Sequence, residues 1–152
     1  MTMTTTVKWV EGVQFVAESG SGHAVVVDGP PAHGGRNTGP RPMELMLMSL
    51  GSCSAFDVVH ILTKARQAIY GCEVSVHGER AGDEPKVFTA IDLRFVVSGA
   101  GLKPAAVARA VSLTAEKYCS AAAMIRKTAT ITYNFEIVEV PPGDAGKTLP
   151  KI

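Results

Sequence analysis

Two cysteines, Cys53 and Cys119, carry the chemistry that the sequence predicts most clearly. A peroxide oxidises a cysteine thiolate to a sulfenic acid, and a nearby second thiol condenses with that acid before further oxidation occurs. The two cysteines lie far apart in the sequence, so only the fold could bring their Cα atoms within the roughly 7 Å that a disulfide needs. The pair predicts thiol redox chemistry, and a buried, inert core cysteine is the alternative interpretation of Cys53.

The surroundings of Cys53 give mixed signals about its reactivity. It stands about eleven residues into a predicted helix, too deep for the helix dipole to stabilise a thiolate, so a cation must come from elsewhere. Arg36 and Arg41 in the preceding loop are candidates, with plain solvated loop charges as the alternative, and Arg126 is a third candidate. Asp57 follows one helical turn after Cys53 and lines the same face, where its carboxylate disfavours a thiolate.

Glu44 and several apolar residues lie on the same predicted helix. Glu44 in the first turn suits the helix dipole. It lies nine residues before Cys53, or roughly 13 Å along the axis at 1.5 Å per residue, and on the opposite side. Only a kink or a partner subunit would bring it to the thiol, which favours a dimer-interface role. Met48 and Phe56 could line an apolar pocket, although such residues also fill cores.

Other candidate chemistries find little support. Cys72 opens a predicted strand and is interpreted as structural, and an odd cysteine count argues against a permanent disulfide framework. The four histidines show no metal-ligand spacing among themselves or with the cysteines, so we expect no metal and no cofactor. The tail segment PPGDAGKT resembles a phosphate loop, but Pro141 occupies the position of the first glycine.

Charge and hydropathy exclude two further partner classes. The 152 residues carry 15 basic and 14 acidic side chains, mixed along the chain, for a net charge of +1. Nucleic acid is not an expected partner, because no basic block could grip a phosphate backbone. No run reaches the roughly 18 apolar residues that a membrane span needs, and the start lacks a secretory profile. We therefore expect a cytoplasmic protein without a membrane partner.

The elements that must position the cysteines follow from periodicity and from glycine and proline. Residues 1–29 predict an N-terminal hairpin, 30–41 a Gly/Pro-rich loop and 140–152 a tail, all within one domain of residues 1–152. A long helix from Pro42 to about Arg66, a second hairpin, a helix from Leu102 to Tyr118, a short helix and a final strand complete the chain. This order, without parallel βαβ repeats, predicts an α+β fold with antiparallel sheet.

The segments GPRPMELMLMSLGSCSAFDVV and KYCSAAAMIRKTATITYNFEIVE resemble the OsmC/Ohr family. The most specific features are the helix opening PMEL with a cysteine shortly after it, and a second cysteine behind the next long helix. The resemblance implies an intertwined homodimer in which antiparallel sheets pack on long central helices. It also implies that Cys53 attacks a hydroperoxide, that Cys119 resolves the sulfenic acid as a disulfide, and that Glu44 pairs with an arginine over the site.

The chain departs from the family pattern in two respects. The family peroxidases place an arginine near the N-terminal hairpin, where this chain has Lys8, Glu11 and Gln14, and Asp57 lies beside the thiol. The sequence therefore predicts a divergent OsmC-like peroxidase that reduces organic hydroperoxides and is regenerated by an external dithiol reductant. The alternative is a non-catalytic OsmC-like stress protein that binds a small molecule or senses redox state.

Overall fold

A computed structural model of the protein describes residues 1–144, and the end of the predicted tail lies outside them. The chain divides into two compact units, Met1–Met46 and the remainder from Leu47. Helix α1 (Pro42–Lys64) begins in the first unit and continues through the second. The α+β class predicted from the sequence is confirmed. The assignment of all residues to one domain stays a prediction.

The first unit is a three-stranded antiparallel sheet followed by an ordered loop. Its strands pair in the order β1-β2-β3: β1 (Thr5–Glu11), β2 (Gln14–Ser19) and β3 (Ala24–Val27). The predicted two-stranded hairpin is wrong in strand number. The reason is Gly12, whose φ of +52° allows an additional turn between β1 and β2, so the chain reverses twice within residues 1–29.

Asp28 orders the Gly/Pro-rich loop of the first unit. Its carboxylate accepts hydrogen bonds from the backbone N–H groups of Gly29, Arg36 and Thr38 and from the Thr38 hydroxyl, at 2.6–3.1 Å. These donors stabilise the charged form, and the pKa of Asp28 falls from 3.8 to about 2, chiefly through the Thr38 hydroxyl. The loop is therefore organised around one buried carboxylate, and it contains a short 3₁₀ turn at Pro31–His33.

The second unit packs α1 against a mixed sheet ordered β4-β5-β6. Its strands are β4 (Ala68–Arg80), β5 (Phe88–Ala100) and β6 (Thr130–Glu139). β4 and β5 form the predicted second hairpin, but β5 and β6 run parallel, which corrects the expectation of antiparallel pairing throughout. The parallel pairing requires a crossover between the two strands, and the helices between them form it.

The crossover between β5 and β6 contains three helical pieces. They are α2 (Pro104–Leu113), a π-helical turn (Thr114–Tyr118) and α3 (Ser120–Ile125). The sequence predicted one continuous helix from Leu102 to Tyr118, so the π turn is a correction. Such turns often occur at functional positions, and this one ends at Cys119.

Helix α1 is the central helix of the second unit. Leu50, Ser54, Val58 and Leu62, spaced by four residues, are all fully buried and define its inward face. A Cβ at Gly51 would lie only 2.9 Å from Val76, so α1 approaches β4 closely at this point. By length and composition alone α1 could cross a membrane, which is weak evidence because core helices of soluble proteins share both properties.

Candidate dithiol site

Cys53 reaches the site from the middle of α1. It lies next to the inward face of the helix and is half-buried, between exposed Ser52 and buried Ser54. Ser52 turns its hydroxyl to the Met48 carbonyl of its own helix at 2.8 Å. Ser54 instead donates across the core to Cys119 Sγ at 3.4 Å. The helix therefore delivers both a thiol and a hydrogen-bond donor to the second cysteine.

Cys119 is held at the junction of two helical segments. Its extended backbone (φ −69°, ψ 104°) ends the π turn and caps α3, where its Sγ accepts a hydrogen bond from the Ala122 N–H at 3.4 Å. Its own N–H donates to the Thr114 carbonyl at 3.2 Å. The side chain is 2% exposed. These bonds fix the sulfur in a buried position with two donors directed at it.

The fold brings three reactive side chains together. The sulfurs of Cys53 and Cys119 and a carboxylate oxygen of Asp57 all lie within 4.8 Å of one another. Thr114, at the start of the π turn, adds a hydroxyl that donates a hydrogen bond to Asp57 Oδ2 at 2.7 Å. The site therefore contains two thiols and one oriented carboxylate, contributed by α1 and by the crossover.

The pKa values of the cysteines reflect their burial. Burial raises the pKa of Cys119 above its ordinary value, and Cys53 beside it raises it further, while the donors Ser54 and Ala122 lower it. Burial alone raises the pKa of Cys72 to about 11. Cys72 is thus a half-buried thiol on β4 that favours the protonated form. A protonated thiol is a poor nucleophile, which agrees with a structural role for Cys72.

The candidate cations are engaged elsewhere. Arg36 forms an ion pair with Glu11, and Arg41 Nη1 donates to Asn37 Oδ1 at 2.6 Å. Arg126 donates to the carbonyls of Ala122 and Ala115 on the crossover. Within residues 1–144, the Asp57 carboxylate forms no ion pair.

The remaining predicted site residues have local partners. Glu44 Oε2 accepts the Arg41 N–H at 2.8 Å, which is the capping-box contact at the start of α1. Met48 is 56% exposed, and Phe56 is 70% exposed with its ring stacked on His60. The structure thus brings Asp57 to the two cysteines, while the site roles of Glu44, Arg36, Arg41, Met48 and Phe56 stay predictions.

Sequence reasoning missed three polar residues near the cysteines. Ser54 and Thr114 are fully buried donors to Cys119 and Asp57. The Tyr133 hydroxyl is buried and has no hydrogen-bond partner within residues 1–144. Burial raises the pKa of Tyr133, while the charge of Arg126 lowers it and that of Cys119 raises it. No spacing signal could have found these residues, because they come from separate elements.

Fold and site together define an α+β protein with a partly buried dithiol centre, and comparisons with known proteins identify its family. The OsmC-like protein family model matches residues 34–134, so the chain belongs to that family. The chain is 52% identical to Protein YhfA of Escherichia coli (strain K12) over 132 residues, 87% of this chain and 96% of that protein. The family resemblance predicted from the sequence is thereby confirmed.

Solved structures share the fold to different degrees. A hypothetical protein from Aquifex aeolicus VF5 is 28% identical with a TM-score of 0.82, over 93% of this chain and 99% of that chain. The organic hydroperoxide resistance protein OhrB of Bacillus subtilis is 18% identical with a TM-score of 0.61, over 90% and 98%. The OhrB comparison shows the fold alone.

Proposed function

We propose that this OsmC-like protein is a thiol-dependent peroxidase that uses Cys53 and Cys119. The observation that carries the proposal is the approach of the two sulfurs to within 4.8 Å, although the residues are remote in sequence. That separation lets a thiol meet a sulfenic acid after small side-chain rotations, without unfolding of the site. The name of the structural relative OhrB, a hydroperoxide resistance protein, points to the same chemistry.

The proposed reaction has two chemical steps and a regeneration. The Cys53 thiolate attacks one peroxide oxygen, the O–O bond breaks, and the alkoxide leaves as an alcohol after taking a proton, which leaves Cys53 as a sulfenic acid. Cys119 then attacks the Cys53 sulfur, water leaves, and a disulfide forms. An external dithiol returns both thiols by exchange and is itself oxidised to a disulfide.

The division of roles between the cysteines follows from exposure. Cys53 is half-buried, whereas Cys119 is 2% exposed, so a peroxide meets Cys53 first. Hydrogen bonds from Ser54 and Ala122 stabilise negative charge on Cys119 and favour its attack as a thiolate. The exposed side chains of Met48 and Phe56 on the same helix favour an organic hydroperoxide over hydrogen peroxide.

A homodimer and a cytoplasmic location complete the proposal. Apolar side chains are exposed on α1 and on the first sheet, including Phe56 at 70% and Trp9 at 68%. Exposed apolar side chains of this kind mark interaction surfaces, and a second copy of this chain is the partner that we propose to cover those of each unit. We further propose a single domain of residues 1–152 and a role for Glu44 at the dimer interface.

The test is thiol counting and intact-mass spectrometry after one equivalent of cumene hydroperoxide. The wild type should lose two thiols and two hydrogens, Cys119→Ser should stop at a sulfenic acid or its over-oxidised forms, and Cys53→Ser should remain unreacted. Cys72→Ser is the matched control and should behave as the wild type. Hydrogen peroxide in a parallel series should react more slowly.

One observation favours a second candidate, a non-catalytic OsmC-like protein that binds a small molecule or senses redox state. Asp57 places a carboxylate at the thiols, and no ion pair within residues 1–144 neutralises it. A negative neighbour disfavours thiolate formation. Survival of all three thiols in the oxidised wild-type sample would replace the peroxidase proposal with the binding protein. A disulfide that forms once and resists dithiol reduction would favour the sensor.

A further inference from the structure

We propose that the reduced site binds one thiophilic divalent cation, such as Zn²⁺, through Cys53, Cys119 and Asp57. The proposal concerns the same two thiols as the proposed peroxidase, whose chemistry the metal would regulate, but metal binding by itself requires no peroxide reaction. The observation that supports it is the three-way approach of two sulfurs and one carboxylate oxygen, all within 4.8 Å of one another.

The donor set and its dimensions suit zinc. Zn²⁺ binds thiolate sulfur at about 2.3 Å and carboxylate oxygen at about 2.0–2.2 Å, so tetrahedral ligand atoms lie about 3.6–3.8 Å apart. Donor atoms within 4.8 Å of one another reach those separations by small side-chain rotations. Two thiolates select thiophilic metals over Mg²⁺ and Ca²⁺. Three protein ligands leave a fourth position for water or an exogenous ligand.

Hydrogen bonds around the donors already orient them as metal ligands. Thr114 holds Asp57 through Oδ2 at 2.7 Å, which leaves the other carboxylate oxygen to bind a cation. Ser54 and Ala122 donate to Cys119 Sγ, as donors to metal-bound thiolates do. Such outer partners fix ligand orientation and strengthen metal binding. The carboxylate and one of the two sulfurs are thus held before any cation arrives.

The negative charge of the three donors also favours binding of a cation. With both thiols ionised, the three donors carry three negative charges in a partly buried site, and no ion pair within residues 1–144 offsets the carboxylate. A divalent cation neutralises two of these charges, and its binding releases the thiol protons. Asp57, which is unfavourable beside a free thiolate, becomes a ligand in the metal-bound state.

The metal would couple the site to redox state. Both thiolates are ligands of the bound cation, so a disulfide between Cys53 and Cys119 removes two of its three protein ligands. In the overall reaction, the zinc-bound dithiolate, one hydroperoxide and two protons give Zn²⁺, the disulfide, an alcohol and water. The two thiolates supply the two electrons that cleave the O–O bond. Oxidation therefore releases the cation.

The test is an anaerobic Co²⁺ titration of the reduced full chain, followed by displacement with Zn²⁺. The wild type should bind one Co²⁺ with a thiolate-to-cobalt absorption band, and Zn²⁺ should abolish that band. Cys53→Ser and Cys119→Ser should lose most of the band. Asp57→Asn keeps an oxygen for the Thr114 hydroxyl but should weaken binding by roughly tenfold or more. Cys72→Ser and Asp92→Asn are matched controls and should bind as the wild type does.

The outcomes separate this proposal from the peroxidase proposal. A reduced wild type that shows no thiolate-to-cobalt band overturns the metal site, as does a band that survives in Asp57→Asn at wild-type affinity. Oxidation of the wild type with diamide removes both thiol ligands without any substitution, so the oxidised protein should bind no Co²⁺ once its disulfide has formed. Disulfide formation with peroxide but no metal binding leaves the peroxidase standing alone. Metal binding without a peroxide-induced disulfide leaves the metal site standing alone.

Discussion

The two units of the chain are stabilised in different ways. The first unit contains one buried hydrophobic residue, Val27, while Val7, Trp9, Val25 and further apolar side chains of its sheet are exposed. The second unit holds the rest of the described core, with Phe95, Leu93 and Val97 fully buried on β5. The second unit therefore carries its own hydrophobic stabilisation, whereas the first is held by hydrogen bonds around Asp28 and leaves its apolar side chains for the proposed partner to cover.

The largest expected effect lies in the core of the second unit. Phe95→Ala removes a fully buried ring and should lower the free energy of unfolding by about 3–5 kcal/mol. Phe135→Ala is a matched control, because Phe135 pairs with Phe95 across the parallel strands but is 38% exposed. Urea unfolding followed by far-ultraviolet circular dichroism measures both. Equal losses in the two variants would contradict a core centred on β5.

The next prediction tests whether a second copy covers the first sheet. Trp9 is the single tryptophan of the chain and is 68% exposed, so its fluorescence reports on the first unit alone. A dimer that buries it should show blue-shifted emission at high concentration and a red shift on dilution. Trp9→Ala should weaken dimerisation by roughly tenfold or more, as loss of a buried interface tryptophan does.

The neighbouring Lys8→Ala is the control for the dimer prediction. Lys8 forms an exposed ion pair with Glu18, and adjacent strand residues point to opposite faces of a sheet. Its replacement should change the dissociation constant little. Analytical ultracentrifugation checks the dimer directly. A monomer at every concentration, with emission that never shifts, would leave the apolar face of the first sheet without the proposed partner.

The third prediction concerns the hydrogen-bonded loop of the first unit. The pKa of Asp28 is lower in the folded state, about 2 against 3.8, so its stabilising effect is complete above about pH 4 and declines as the pH falls towards 2. Amide protection factors at Arg36 and Thr38 should fall over that interval. Asp28→Asn replaces an accepting oxygen with a donor and should remove their protection at neutral pH.

Asp83→Asn provides the control for the loop prediction. Asp83 is exposed in the turn between β4 and β5, so its substitution should leave the Arg36 and Thr38 amides unchanged. The core amides of β5 should stay protected in Asp28→Asn, because that strand belongs to the second unit. Simultaneous loss of protection in both units would show that they unfold as one body and would remove the contrast between them.

The fold class was largely predictable, because periodicity and turn residues reflect local physics. The predicted helix from Pro42 to about Arg66 matches α1 within two residues at each end, and the predicted final strand is β6. The parallel pairing of β6 was not predictable in the same way. Whether β6 runs parallel or antiparallel to its neighbour depends on where the crossover helices place it, and no local sequence pattern indicates that position.

The site was predictable only in its residue types. The cysteine pair followed from known thiol chemistry and from the family resemblance, but its proximity depends on a π turn that sequence periodicity did not show. The approach of Asp57 to both sulfurs was not predictable for the same reason. Ligand spacing in a sequence identifies only donors that lie close together along the chain, whereas these three side chains meet only after α1 and the crossover pack.

The smallest expected effect is kinetic and falls within the second unit. Ser54 donates to Cys119 Sγ and lowers the pKa of that thiol, so Ser54→Ala should raise the pKa further and leave less thiolate at neutral pH. Loss of a hydrogen bond worth about 1 kcal/mol should slow the proposed attack of Cys119 on the Cys53 sulfenic acid by roughly fivefold. Trapping with dimedone should then capture more sulfenic acid.

The pH dependence of disulfide formation shows in which direction Ser54→Ala shifts the pKa of Cys119. Because the pKa of Cys119 rises in Ser54→Ala, the pH at which disulfide formation reaches half its maximal rate should move upward. Ser52→Ala is the matched control on the same helix, since Ser52 donates only to backbone carbonyls of α1. A shift of equal size in both variants would assign the effect to α1 rather than to the Ser54 hydrogen bond. A shift confined to Ser54→Ala would show that a buried hydrogen bond of the second unit sets the pKa of Cys119. Within residues 1–144, only the second unit has an extensive core in which such a bond can be buried.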